Sequence, residues 1–247
     1  MNFLKIVWFD FMNICRTPML VIVNTIGQLI IWAGFGMVTS SHFGGGIVNS
    51  YDYYGIATMI LSSIMISMTV TNTFMEEKVK RGNLRIAYAP VSKTEIYLSK
   101  LLSTYIFGVI AFTLLCLLEQ MVFQSNFGGA NIGYIMILIH MLTLFGCCIG
   151  TLVVVMFKSE ERANAVMPII SILFIFFGGV FSPVGHFGEV MQAIAQISPA
   201  KWVTQAAFQI IYDNNFSLFL PVIAFLLLFS IVFTVISQFI FKPEEYL

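Results

Sequence analysis

The sequence predicts an all-α membrane protein: six transmembrane helices, an interfacial amphipathic helix at the N-terminus and an outer re-entrant helical hairpin after the fifth span. Three observations predict it. Hydrophobic residues make up 59% of the chain, charged residues only 10%, and the mean hydropathy is +0.92, which excludes an ordinary soluble domain. Six apolar runs reach the roughly 20 residues that a helix needs to cross a hydrocarbon core. Lysine and arginine collect in alternate loops.

Residues 1–17 form the first element. Leu4, Val7, Trp8, Phe11, Met12 and Cys15 recur at helical spacing, with Lys5, Asn13 and Arg16 largely elsewhere, so a helix lying in the membrane interface is expected. Asp10 and Arg16 interrupt the apolar stretch and no small-residue cleavage site follows, so this segment reads as retained, not as a signal peptide. The spans are expected at 19–39, 53–74, 100–123, 132–157, 164–183 and 218–241. Thr17-Pro18 starts the first as an N-cap followed by proline in the first turn. Gly178, Gly179 and Pro183 should break the fifth near its end. In the outer segment 184–217, Phe187, Val190, Met191 and Ile194 share a helical face and a second apolar stretch runs from Trp202 to Ile211. With no repeat or linker, residues 1–247 read as a single domain.

Eleven of the twelve basic residues lie before the first span, between spans two and three or four and five, or after the sixth; only Lys201 lies elsewhere. That bias places both termini in the cytoplasm. The formal net charge is zero, so no nucleic-acid partner is expected. Cys15, Cys116, Cys147 and Cys148 lie in apolar segments without a CxxC pair and read as packing residues.

No catalytic constellation assembles. A GxxxxGK[ST] phosphate loop is absent from the sequence, and His42, His140 and His186 have no metal-ligand spacing, so neither cofactor nor metal is expected on this chain. Glu160-Glu161-Arg162 reads as a solvated charged turn. Glu119 and His140 are ionisable groups inside spans three and four, where burial is costly. Two readings stand: a structural polar pair across a short hairpin, or the ion-coupling pair of a secondary transporter or channel.

The loop 75–99 has the clearest internal order. Glu76 to Arg81 extends the second span as a charged helix; Gly82-Asn83 breaks it; Leu84, Ile86, Ala87 and Tyr88 make a short apolar element ending before Pro90. Ser92-Lys93-Thr94-Glu95 is a capping box launching the third span. Apolar residues on a basic cytoplasmic loop invite a protein partner.

Glu76-Glu77, Arg81-Gly82-Asn83-Leu84, Ala89-Pro90-Val91-Ser92 and Lys100, in that order, resemble the loop between the second and third spans of ABC-2 type transporter permeases. "FFGGVFSPV" (176–184) and "ISPAKWVTQAAFQI" (197–210) are similar to that family's fifth-span end and outer segment. The resemblance covers nearly the whole chain. It implies a permease subunit of a bacterial plasma-membrane exporter, drug- or bacteriocin-export-like, working by alternating access. Its partners would be two copies of an ATP-binding cassette ATPase, which bind the ATP and Mg, and a second permease chain as homodimer or heterodimer. Glu76, Glu77, Arg81, Gly82, Asn83, Leu84, Arg85, Ile86, Ala87, Tyr88, Ala89 and Pro90 would then form the ATPase-coupling segment. Trp32, Phe35, Met59, Met65, Met68, Phe174 and Phe177 would line the pathway, a soft apolar wall suited to hydrophobic drugs, antimicrobial peptides or lipids.

Overall fold

The computed structural model describes residues 3–41, 48–75, 91–181 and 188–242, and every regular element among them is helical. In chain order they are α1 (Phe3–Arg16), α2 (Pro18–Asn24), α3 (Ile26–Thr39), α4 (Ser50–Met75), α5 (Lys93–Phe123), a 3₁₀ turn (Gly129–Asn131), α6 (Ile132–Phe157), α7 (Glu160–Phe177), α8 (Glu189–Ala195), α9 (Pro199–Tyr212) and α10 (Phe219–Ile240).

Among the described residues five segments are long and apolar enough to cross a membrane: α2 with α3, α4, α5, α6 with its preceding turn, and α10. The sequence predicts a sixth at 164–183. Its helix, α7, is 18 residues long, carries Glu160, Glu161 and Arg162 in its first turn and Pro168 inside, and is not among the five. It stops at Phe177, six residues before the expected end, because the chain turns at Gly178 and Gly179, the latter at φ +63°. The first span also departs from expectation, since Thr25 divides it. Asn24 Nδ2 donates to the Leu20 carbonyl at 2.8 Å and Thr25 Oγ1 to the Val21 carbonyl at 2.6 Å. Such local side-chain bonds compete with helix continuation.

α4 is the hub, packed against α3, α5, α6 and α7. Its buried hydroxyls fold back onto its own carbonyls: Thr58 to Tyr54, Ser62 to Thr58, Ser63 to Met59 and Thr71 to Ser67. This satisfies them where no water is available. Their small size lets α6 come close. A Cβ on Gly150 would lie 2.6 Å from the Ser67 carbonyl oxygen, and one on Gly146 would collide with that of Ser63. Ser63-xxx-Ser67 thus faces Gly146-xxx-Gly150, the small-residue packing that replaces the hydrophobic effect inside a bilayer.

The two ends of the bundle differ in charge. Arg16, Lys93, Lys100, Lys158, Arg162 and Lys242 gather at the end where α4 stops and α5 starts. Gln238 Nε2 donates to Thr94 Oγ1 there at 3.3 Å, and Phe241 meets Phe74 and Tyr97 edge-on. At the other end Asp52 Oδ1 accepts from the Asn126 amide at 2.8 Å, and Asn131 Nδ2 donates to Asn214 Oδ1 at 2.9 Å. There α9 returns against the ends of α4, α6, α7 and α10, anchored by Ser198 Oγ donating to the Phe174 carbonyl at 2.5 Å.

The α4–α6 contact yields a direct prediction. Gly150→Val destabilises the fold by about 1–3 kcal/mol through overpacking. Gly133→Ala, where a Cβ meets nothing within 4 Å, is neutral or stabilising. Thermal unfolding of both variants in detergent, followed by size-exclusion chromatography, checks this.

Candidate functional site

The segment that the sequence singles out for partner docking, Glu76 to Pro90, lies outside the described residues, but both of its flanks are described. α4 runs into it and α5 leaves it. The capping box forms as expected: Ser92 Oγ accepts from the Glu95 amide at 3.2 Å, and Glu95 Oε2 accepts from the Ser92 amide at 2.9 Å. Those bonds fix where the 31-residue α5 begins.

α1 closes against these flanks. Its inward face is Ile6, Val7, Asp10 and Ile14, while Leu4 and Trp8 point outward at 72% and 63% exposure. The predicted apolar stripe therefore splits, with Val7 turned to protein and Leu4 and Trp8 turned away. Asp10 sits in the packed face because a partner waits for it. Lys100 Nζ lies 3.5 Å from Asp10 Oδ1, with the two side chains only 3% and 4% exposed. Ser99 Oγ lies 3.0 Å from Asp10 Oδ2, and Lys100 Nζ donates to the Thr73 carbonyl at 3.0 Å. The ammonium also stands 5.7 Å from the Phe74 ring centroid. Lys100, counted from sequence among the charges of a basic loop, is instead a buried group joining α1, α4 and α5.

Glu119 and His140 go to different partners. His140 Nε2 lies 3.3 Å from Thr113 Oγ1, which also donates to the Val109 carbonyl at 2.7 Å. Glu119 is 1% exposed, its Oε2 has no hydrogen-bond partner among the described residues, and it lies against Gly55 of α4. Thr113 and Glu119 are six residues apart on one helix. That is about 9 Å of rise and a different face, so a residue opposite the first does not meet the second.

Of the expected pathway residues, Trp32 and Met59 are enclosed in this conformation. Trp32 Nε1 donates to the Tyr51 carbonyl at 3.0 Å, and its ring meets Phe123 edge-on at 4.2 Å, tying α3 to α4 and α5. Phe35 is exposed and packs on Tyr54 and Phe181. Met65, Met68, Phe174 and Phe177 are half-buried. Sequence reasoning passed over a set of uncharged polar groups inside the spans. Asn24 Nδ2 reaches Thr69 Oγ1 at 3.0 Å, joining α2 to α4, and Asn164 Nδ2 reaches Asn72 Oδ1 at 3.2 Å, joining α7 to α4. Amide side chains within apolar runs were the available signal. Among the described residues no group of three His, Cys, Asp or Glu could hold a metal ion.

Comparison with known proteins accounts for this arrangement of spans without a catalytic centre. The linearmycin resistance permease protein LnrN of Bacillus subtilis (strain 168) is 26% identical over 155 residues, which is 63% of this chain and 40% of that protein. The chain therefore matches less than half the length of this relative. Residues 22–239 match the family described as ABC-2 family transporter protein, which takes in all five membrane-crossing segments apart from the first turn of α2 and the last residue of α10. The chain belongs to the ABC-2 transporter family of integral membrane proteins.

Proposed function

We propose that the whole chain is a single transmembrane domain that exports hydrophobic or amphipathic compounds from a bacterial cell. In this reading it works by alternating access, driven by ATP and Mg bound to two copies of a separate ATPase subunit. The observation that carries the reading is the family match over residues 22–239. The relative's designation as a resistance permease supports export of a toxic compound, and the methionine and phenylalanine side chains expected along the pathway, Phe35, Met65, Met68, Phe174 and Phe177, support a greasy cargo. The sequence has no phosphate loop, so ATP hydrolysis falls to a partner chain. That partner docks on Leu84 to Ala89. A second permease, identical or related, completes the pathway, and the exposed aliphatic faces of α3 and α10 leave room for it beside lipid.

Purification of the tagged protein from its native membrane in mild detergent tests the core of this reading. A chain with a phosphate loop co-elutes in equal amount. Leu84→Asp or Tyr88→Asp removes that chain while the permease stays in the membrane at its usual level. Co-elution and transport at wild-type level in both variants would place the docking site elsewhere.

The topology in this proposal has α7 as a sixth crossing. Its apolar stretch from Ala163 to Phe177 joins the basic end of the bundle to the end where α9 sits. An even number of crossings puts both termini on one side, and the lysine and arginine bias makes that side the cytoplasm. A fluorescent protein that matures only in the cytoplasm should therefore glow when fused to either end; a dark fusion at one end would make the number odd.

A second reading, an ion-coupled transporter, has one observation in its favour: the buried, unpartnered Oε2 of Glu119. Under the ATP-driven reading, Glu119→Gln keeps ATP-dependent transport in vesicles, and collapse of the proton gradient leaves the rate unchanged. Transport that needs the gradient but no ATPase, and that this variant abolishes with folding intact, would transfer the function to the second reading.

A further inference from the structure

Asp10 is the charged residue on the otherwise apolar packed face of α1, and ATP-driven transport as described gives it no task. Its surroundings are specific. Ser99 and Lys100 on α5 both reach it, and the same ammonium takes the Thr73 carbonyl of α4. One cluster therefore ties α1 to α4 and to the second and third turns of α5. At its other end α1 runs directly into the first span, since Thr17 Oγ1 donates to the Asn13 carbonyl at 2.9 Å and Pro18 opens α2.

The rest of the α1 contact is Ile6, Val7 and Ile14. Apolar contact is non-directional and tolerates sliding. A buried ion pair with fixed hydrogen-bond partners does not, and fixing register is the best-attested use of such pairs.

We propose that the Asp10–Lys100 pair is a register clamp that makes α1, and through it the first span, move as one piece with the α4–α5 hairpin, so that Asp10 is a positioning residue for ATP-driven transport. This rests on the reading that an ATPase drives the hairpin from its cytoplasmic end. The clamp would carry that displacement sideways into α2, a path additional to the direct packing of α3 on α4.

The test uses the complete complex in proteoliposomes and reads three quantities: recovery of the ATPase with the permease, ATP hydrolysis, and substrate moved per ATP. Recovery and hydrolysis in the wild type test the ATPase reading itself, and a permease that transports without an ATPase defeats that reading before the clamp is examined. Asp10→Asn and Lys100→Met are then compared singly and together. Each single change breaks the pair while one of its charges stays buried, and lowers recovery of the complex. The double change removes both charges, restores recovery and hydrolysis, and lowers substrate moved per ATP by about tenfold, a typical size for coupling between sites. A double variant with the wild-type ratio shows a static staple and overturns the proposal. If the double variant does not assemble, Ser99→Ala decides, because it removes one bond to Asp10 and leaves no charge unpaired. A reduced ratio at normal assembly then supports the clamp, and an unchanged ratio overturns it.

Discussion

A helix enclosed by four others in a bilayer must do two things that conflict. It must keep every polar group satisfied without water, and it must leave its neighbours room to approach. α4 meets both with serine and threonine. Their hydroxyls return to carbonyls three or four residues back, so they need nothing from a neighbour, and the side chains left over are barely larger than alanine. Gly146 and Gly150 of α6 then rest on the backbone at Ser63 and Ser67, and Gly108 of α5 approaches Thr143 of α6. With leucine at these sites the helices would stand farther apart, and the cross-links to α2 and α7 through Asn24–Thr69 and Asn72–Asn164 would fall out of reach.

This tight centre limits where movement can originate. The helices α4, α5 and α6 share interfaces lined by small residues, and packed interfaces of that kind shift between discrete arrangements instead of deforming smoothly. The margins of the bundle are α1 on one end, α8 and α9 on the other, and the outward faces of α3 and α10. A drive applied where α4 ends and α5 begins would reach the periphery only through specific ties. The bonds Gln238–Thr94 to α10, Asn72–Asn164 to α7 and Asp10–Lys100 to α1 are such ties, all at the basic end of the bundle.

Composition and apolar run length were enough to locate α4, α5, α6 and α10 within a few residues, since in a membrane hydropathy alone identifies a buried helix. The Ser92–Glu95 capping box was readable for a different reason: it is local, complete within four residues, and independent of the rest of the fold. What escaped was non-local. The early end of α7 depends on Gly178 fitting beneath Ala200, 22 residues on in sequence. The partner of His140 depends on which face of α5 turns towards α6, which the near-uniform apolarity of α5 does not encode. Lys100 looked like one more loop cation because its acid lies 90 residues earlier in the chain.

The two buried acids show why sequence position alone misjudges a charged residue in such a protein. Taking a carboxylate or an ammonium from water costs several kcal/mol even after the surroundings relax, so each buried ion has to be compensated on the spot. At the basic end, Asp10 has Lys100 and Ser99, and Lys100 adds the Thr73 carbonyl and the Phe74 ring; this compensation spans three helices. Glu119 Oε2 has no hydrogen-bond partner among the described residues; it lies against Gly55, and the indole N–H of Trp32, also beside Gly55, is already given to the Tyr51 carbonyl. A compensated ion is held in one arrangement and suits a mechanical tie, whereas a carboxyl oxygen buried without a donor carries a desolvation cost that any arrangement bringing it water or a donor would relieve.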